Sequence, residues 1–290
     1  MATKIPAFTY TGAHTEQMIG DYWVIFLTTS GTLRFSYAHE IDVTVLGGGG
    51  GGGTGNSYEG GGGGGGGYQT IEFGVDLSAA TAYDIVVGGG GSGGYRGEGG
   101  GGGDGTAGGQ SSAFGFTADG GKGGQYDNAG GAGGAGGTGN GGNHRSAGES
   151  NTVHAFSDAS FPLYGGGGGG GQAAGGSPYG GAGGAYPQGE SHSGKAGCGY
   201  GGGGGGGRSM GSGADYTNPG GAGYQGIVVI RGSRDDQLPV KFGGTTLTRM
   251  TFDGSEVKHL IYGGTKLFME RVRRCADWSK PKTRFVLQEA

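Results

Sequence analysis

Four unbroken runs of glycine constrain this chain more than anything else in it: Gly47–Gly53, Gly60–Gly67, Gly165–Gly171 and Gly201–Gly207. Glycine has no side chain to bury and loses the most backbone freedom on ordering, so ordinary helices and strands are disfavoured there. With 86 Gly and 7 Pro in 290 residues, composition alone fits a low-complexity linker. Three features argue against that. Aromatic residues, scarce in flexible linkers, sit between the runs at Tyr68, Phe114, Phe116, Tyr126, Phe156 and Tyr200. Glycine runs leave directly from strand-like segments, Ile41–Leu46 into Gly47 and Tyr83–Val87 into Gly88. Several runs also repeat every third residue: Asp119, Lys122 and Gln125 are separated by Gly-Gly, and so are Ala129, Ala132, Ala135 and Thr138.

A period of three is that of the polyproline-II helix, which makes no internal hydrogen bonds and leaves each N–H and C=O free for a neighbour. Collagen would need strict Gly-X-Y and abundant proline, and neither is present. The remaining way to satisfy such backbones is a stack of glycine helices bonded side by side. An all-Gly helix is bare on every face and suits the interior. A Gly-Gly-X helix carries one side-chain face and suits the rim. Ordering the backbone costs about 1–2 kcal/mol per residue, and an amide bond returns about 1 kcal/mol net. Such a stack therefore needs a frame to hold its ends.

The frame is legible in the flanking segments. Ala7–Tyr10, Tyr22–Leu27, Thr32–Ser36, Ile41–Val45, Thr70–Phe73, Val75–Leu77 and Ala82–Val87 are short, β-branched or aromatic and broken by glycine. Strand signals then lapse until Gly226–Arg231, an apolar run suited to a sheet centre. The expected fold is all-β. A β-sandwich of the jelly-roll or tumour-necrosis-factor type is formed by residues 1–46, 68–87 and 226–232. Its expected core is Trp23, Phe26, Phe35, Leu46, Phe73, Leu77, Ile85, Val87 and Val229. A polyglycine-II stack is inserted as residues 47–67 and 88–225. Residues 233–290 form a small unit of β-hairpins with a basic tail, marked by the echo of Val240–Leu247 in Leu260–Leu267.

Charge and motifs narrow the function. A net charge of −4 gives no drive toward nucleic acid. No signal peptide and no 18-residue apolar span are visible. Cys198 and Cys275 are expected as free thiols, and the six histidines lack metal-ligand spacing. Recurrent GxGxxG carries no information in so glycine-rich a chain. Neither a cofactor nor an enzymatic activity is expected. Side chains reappear between the runs, mixing Tyr with Ser, Asn, His and Arg, the chemistry of adaptable binding loops. The candidate receptor-binding residues are Tyr58, Tyr95, Arg96, His144, Arg145, Tyr179, Tyr186, His192 and Tyr216.

The order of a strand, LGGGGGGG, a strand, VGGGG, further glycine runs and GIVVIR resembles the glycine-rich domains of bacteriophage tail proteins. It is similar in principle to tail-fibre-tip adhesins of T-even-like phages, where stacked polyglycine-II helices carry variable loops. The glycine-rich module of anaplastic lymphoma kinase-type receptors is similar in architecture. The resemblance covers about residues 7–231. It implies a tail-tip or tail-fibre adhesin of the virion, binding a host-cell surface glycan or protein and attached to other tail proteins, with homo-oligomerisation open. The alternative is a structural virion or surface-fibre protein assembled through its glycine region.

Overall fold

The computed structural model describes residues 5–55, 61–95, 102–126, 133–171, 173–181, 193–208 and 218–233, and the backbone of short strands between 240 and 289. The chain is all-β, and its described residues include one 3-10 turn, Ala155–Ser157. In chain order the strands are β1 Phe8–Tyr10, β2 His14–Ile19, β3 Tyr22–Leu27, β4 Gly31–Phe35, β5 His39–Leu46, β6 Gln69–Leu77, β7 Tyr83–Ile85, β8 Ser111–Ala113, β9 Phe116–Ala118, β10 Val153–His154, β11 Leu163–Tyr164 and β12 Ile227–Ser233. An antiparallel five-stranded sheet has the order β2-β3-β12-β5-β6, and a three-stranded sheet has the order β1-β4-β7. Further antiparallel strands follow: β13 Val240–Phe242, β14 Thr245–Phe252, β15 Ser255–Glu256, β16 Ile261–Tyr262, β17 Thr265–Lys266 and β18 Phe285–Glu289.

The last strand of the sandwich, β12, lies at the centre of the larger sheet, between β3 and β5. Its unbroken apolar run follows from burial on both faces. On one face Val228 and Ile230 join Trp23, Ile25, Leu27, Ile41, Val43 and Val45 against Leu33, Phe35 and Ile85 from the smaller sheet. On the other, Ile227 and Val229 join Val24, Phe26 and Leu46 against Ala155, Phe156, Phe161 and Tyr164. This second core has a charged clamp at its edge. Arg231, buried on β12, pairs with Asp42 at 3.0 Å and Asp158 at 3.4 Å. Its guanidinium lies 4.3 Å from the ring centres of both Tyr22 and Phe156.

Three expectations are corrected. The segment 88–225 is not glycine helix throughout. The β8–β9 hairpin closes the first core with Ala113 and Ala118, and residues 153–164 form one wall of the second. Strands of two or three residues show no readable alternation, and the β8–β9 turn takes left-handed backbone at Phe114 and Gly115. Phe73 is not a core residue; it is 59% exposed. A bulge between Ile41 and Val43 sets Phe73 and Gly74 opposite Asp42, whose Oδ1 accepts from the Gly74 amide at 3.0 Å, and the alternation breaks there. Val87 is only partly buried, packed at the edge of the first core.

Beyond the sandwich the glycine runs form a hydrogen-bonded lattice. Residues 47–54 leave the end of β5, and their amides bond in strict rotation to three neighbours. Gly47, Gly50 and Gly53 donate to the carbonyls of Tyr68, Gly65 and Gly62. Gly48, Gly51 and Thr54 donate to Gly109, Thr106 and Gly103, and Gly49 and Gly52 donate to Tyr224 and Gly221. Carbonyls of the same run accept from three others: Gly49 from Gly91, Gly48 from Gly121 and Gly50 from Gly204. Six chains thus surround one, and each bonds to the next in the ring, the packing that three residues per turn allows. The run 61–67 is likewise bonded to the chains at Gly50, Gly204, Lys122, Gly134, Gly142 and Gly168.

All described residues of the four all-Gly runs are buried. A Cβ built on any residue from Gly47 to Gly53 would stand 2.0–2.5 Å from a neighbouring carbonyl oxygen, so side chains are excluded by contact with backbone. The Gly-Gly-X chain 119–125 shows the complementary pattern: Asp119, Lys122 and Gln125 are exposed while Gly121 and Gly124 are buried. Thr138 departs from its period and is fully buried, because the chain turns there toward Gly139, whose φ is +136°.

Candidate binding surface

Each glycine run crosses the lattice once, so successive turns alternate between the sheet end and the far end. Gly47 is level with Tyr68, Gly109 and Asp119 at the sheet end, and Gly53 is level with Gly62, Gln125 and Gly207 at the far end. Described residues on either side of segments 56–60, 96–101, 127–132 and 209–217 stand at the far end. Among these are Thr54 and Gly61, Tyr95 and Gly102, Tyr126 and Gly133, and Arg208 and Asn218.

The candidate residues divide accordingly. Tyr95 follows Gly94, whose amide bonds to Gly52 at 2.8 Å, and its side chain is 63% exposed at the far end. His144 and Arg145 occupy a tight turn in which the Ser146 amide bonds to the Asn143 carbonyl at 2.6 Å. That turn reverses the chain toward the far end, beside Gly63 and Gly170. Arg145 is exposed and His144 half-buried. Nearby, Asp104 Oδ1 accepts from the Tyr126 amide at 2.6 Å. Tyr58, Arg96, Tyr186, His192 and Tyr216, with Gly60 of the second run, lie outside the described residues.

Tyr179 belongs to the opposite end. Its carbonyl accepts from the Cys198 amide at 3.0 Å, beside Gly202 and close to the sandwich. There the rings of Tyr164, Tyr200 and Tyr224 meet edge to face with centres 6.3 and 5.6 Å apart. Burial, with Tyr200 and Tyr179 adding to it, pushes the Tyr164 phenol well above its ordinary range. This cluster seals the lattice base; it is no part of a far-end surface. The sequence did hold a signal for this. Counting crossings from Leu46 gives each turn a parity, and the turn at 177–180 has that of the sheet end.

Sequence reasoning also missed the residues that fix the base. Ser111, fully buried, donates to the Leu46 carbonyl and accepts from the Gly88 amide. Gln225 Nε2 donates to the Thr28 carbonyl at 2.7 Å. These bonds root the glycine chains on the sandwich and fix the height of the far end.

Among the described residues no group of three or more His, Cys, Asp or Glu is placed to hold a metal ion, and no helix is long and apolar enough to cross a membrane. Cys198 is a free, exposed thiol.

Fold and lattice together define a class: a β-sandwich that carries a block of polyglycine-II chains whose innermost runs bear no side chains. The chain belongs to the glycine-rich domain family, whose model matches residues 28–233. The match runs from the end of β3 to the end of β12 and so takes in the whole lattice. No curated protein matches the chain.

Proposed function

We propose that this protein is a bacteriophage tail-tip or tail-fibre adhesin that binds a host-cell surface glycan or protein through the far end of its glycine lattice. One observation carries the reading. The all-Gly runs at the heart of the lattice are packed without side chains, side chains appear on its rim, and at the far end Tyr95 is the most exposed of the large hydrophobic residues among those described. A block cross-bonded on six sides loses little conformational entropy when its turns engage a ligand, and an exposed tyrosine offers a rigid ring with a polar tip. Sandwich and lattice then divide the work: one attaches, the other presents. The resemblance to phage tail proteins supplies the biological setting, the virion tail.

The test is binding of the labelled protein to a panel of bacterial cells and their purified surface polysaccharides. A far-end adhesin binds a subset of strains and loses most of that binding on Tyr95→Ala or Arg145→Ala. Binding to no strain, or binding that both substitutions leave intact, overturns the proposal.

A further inference from the structure

The turn that carries His144 and Arg145 stands on two legs, residues 140–143 and 146–149. The legs are bonded to each other at both ends. The Ser146 amide donates to the Asn143 carbonyl at 2.6 Å, and the Glu149 amide donates to the Asn140 carbonyl at 2.9 Å. At the Asn140 end side chains close the join. Glu149 Oε2 accepts from the Asn140 amide at 3.1 Å, from Asn140 Nδ2 at 2.8 Å and from Asn151 Nδ2 at 3.3 Å. On its other side, Asn140 Oδ1 accepts from the Gly136 amide at 3.1 Å. The Asn140 carboxamide is exposed, yet both its oxygen and its nitrogen are held.

Asn140 is followed by Gly141. An asparagine is chemically labile, and most so before glycine, which puts no side chain in the way of its own nitrogen. The Gly141 nitrogen loses its proton and attacks Asn140 Cγ, a C–N bond forms, and the carboxamide nitrogen leaves as ammonia. The cyclic imide that results takes up one water and opens to an aspartate or isoaspartate. Attack requires the carboxamide to swing over the next nitrogen, and that nitrogen to leave its hydrogen bond. Here the Gly141 amide is bonded to the Gly134 carbonyl at 2.8 Å. A Cβ on Gly141 would stand 2.0 Å from the Gly63 carbonyl oxygen, so the backbone has no room to rotate while the lattice is closed.

We infer that Asn140 is a latent deamidation site, held unreacted by the lattice and released only when the legs 140–143 and 146–149 open. Reaction makes that opening one-way. The product places a carboxylate where Nδ2 donated to Glu149, so a hydrogen bond between the legs becomes a contact of like charges. Glu149 is the positioning residue of the site, because one of its oxygens holds both nitrogens of Asn140. No host surface enters the test, so the site stands or falls apart from the adhesin reading.

Peptide mapping by mass spectrometry tests it, on the full chain incubated at mildly alkaline pH, folded in buffer and unfolded in guanidinium. Conversion of Asn140 should be slower in the folded protein by about tenfold or more, because it waits on a local opening. Each variant is incubated below its own melting transition. Glu149→Ala should speed the folded-state reaction and leave the rate in guanidinium unchanged, while Glu149→Gln, which keeps an acceptor oxygen, should stay as slow as the wild type. Asn140→Asp should raise hydrogen exchange at the Glu149 amide, whose partner is the Asn140 carbonyl. Equal rates in the folded and unfolded wild type overturn the inference. So does a folded Glu149→Ala protein that reacts as slowly as the wild type, a Glu149→Gln protein that reacts as fast as Glu149→Ala, or an Asn140→Asp protein whose Glu149 amide exchanges as before.

Discussion

Ser111 Oγ donates to the carbonyl of Leu46 at 2.7 Å and, from the other side, accepts the amide of Gly88 at 2.9 Å. It stands where β5 becomes the first glycine run and β7 leads into the chain 88–94, so one buried hydroxyl ties both roots together. Ser111→Ala leaves a buried carbonyl and a buried amide without this partner. The expected loss is about 1–3 kcal/mol. That is a melting-temperature drop of about 2–4 °C per kcal/mol for a chain of this order of size. Calorimetry checks it; an unchanged melting temperature would mean the junction is held elsewhere.

The clamp at Arg231 makes an asymmetric prediction. Asp42→Ala removes the nearer carboxylate, frees the Gly74 amide at the bulge and leaves a guanidinium that is 9% exposed with only Asp158 to pair with. It should cost about 2–4 kcal/mol, close to the range for breaking one side of a buried ion pair. Arg231→Met keeps the apolar stem against Tyr22 and Phe156 and leaves no buried charge, so it should cost less. Urea unfolding midpoints of the two variants decide the order.

His39 makes the sandwich acid-sensitive. Its ring packs edge-on against Trp23 and Phe35, with centres 5.9 and 5.1 Å apart, and neither nitrogen has a hydrogen-bond partner. Burial pushes its pKa down from 6.5 to about 4. Between those values the unfolded chain takes up a proton that the folded chain refuses, so acid favours unfolding. This contribution is constant above pH 6.5 and falls by up to about 1.4 kcal/mol per pH unit toward pH 4, with no further loss below. His39→Leu should flatten that part of the stability profile, measured as urea midpoint against pH. A profile unchanged by the substitution would refute the assignment.

Tyr95 and Tyr179 separate the two ends of the lattice functionally. Both are tyrosines in glycine-flanked turns. Tyr95 stands exposed at the far end, and Tyr179 lies half-buried near the base. Tyr95→Ala should reduce cell-surface binding about tenfold or more, the loss expected of an anchor aromatic, with the melting temperature unchanged. Tyr179→Ala should leave binding intact and lower stability. Flow cytometry with calorimetry on both variants reads this out, and the reverse pattern would assign recognition to the sheet end.

Much of the architecture was legible because it follows from local chemistry. A run such as Gly47–Gly53 admits no side chain anywhere, and the repeat Asp119, Lys122, Gln125 admits one per turn, so the two kinds announce interior and rim. The apolar run Ile227–Ile230 likewise announces a strand covered on both faces. What stayed hidden depends on long-range register. Nothing near Phe73 signals that the bulge opposite Asp42 turns it out of the core. Nothing in Ser111–Ala118 signals that two alanines close a sheet of strands far away in sequence. Thr138 sits in a repeat that predicts exposure, yet the chain reverses at Gly139 and buries it. Tyr179 stands among the candidate binding residues because composition marks a turn, and only the count of chain crossings before it gives the end of the lattice that the turn occupies.

The central claim is that the protein's interior is packed backbone, closed to side chains at some glycines and open at others. The most direct measurement is the thermal stability of Gly64→Ala beside that of Gly89→Ala. The added methyl group is the same. At Gly64 its Cβ would stand 2.1 Å from the Gly50 carbonyl oxygen, and at Gly89 it would meet nothing within 4 Å. The lattice predicts a loss of about 3 kcal/mol or more at Gly64, the upper end for overpacking. At Gly89 it predicts no loss, or a gain of up to about 1 kcal/mol from reduced unfolded-state freedom. Equal tolerance of the two substitutions would contradict it.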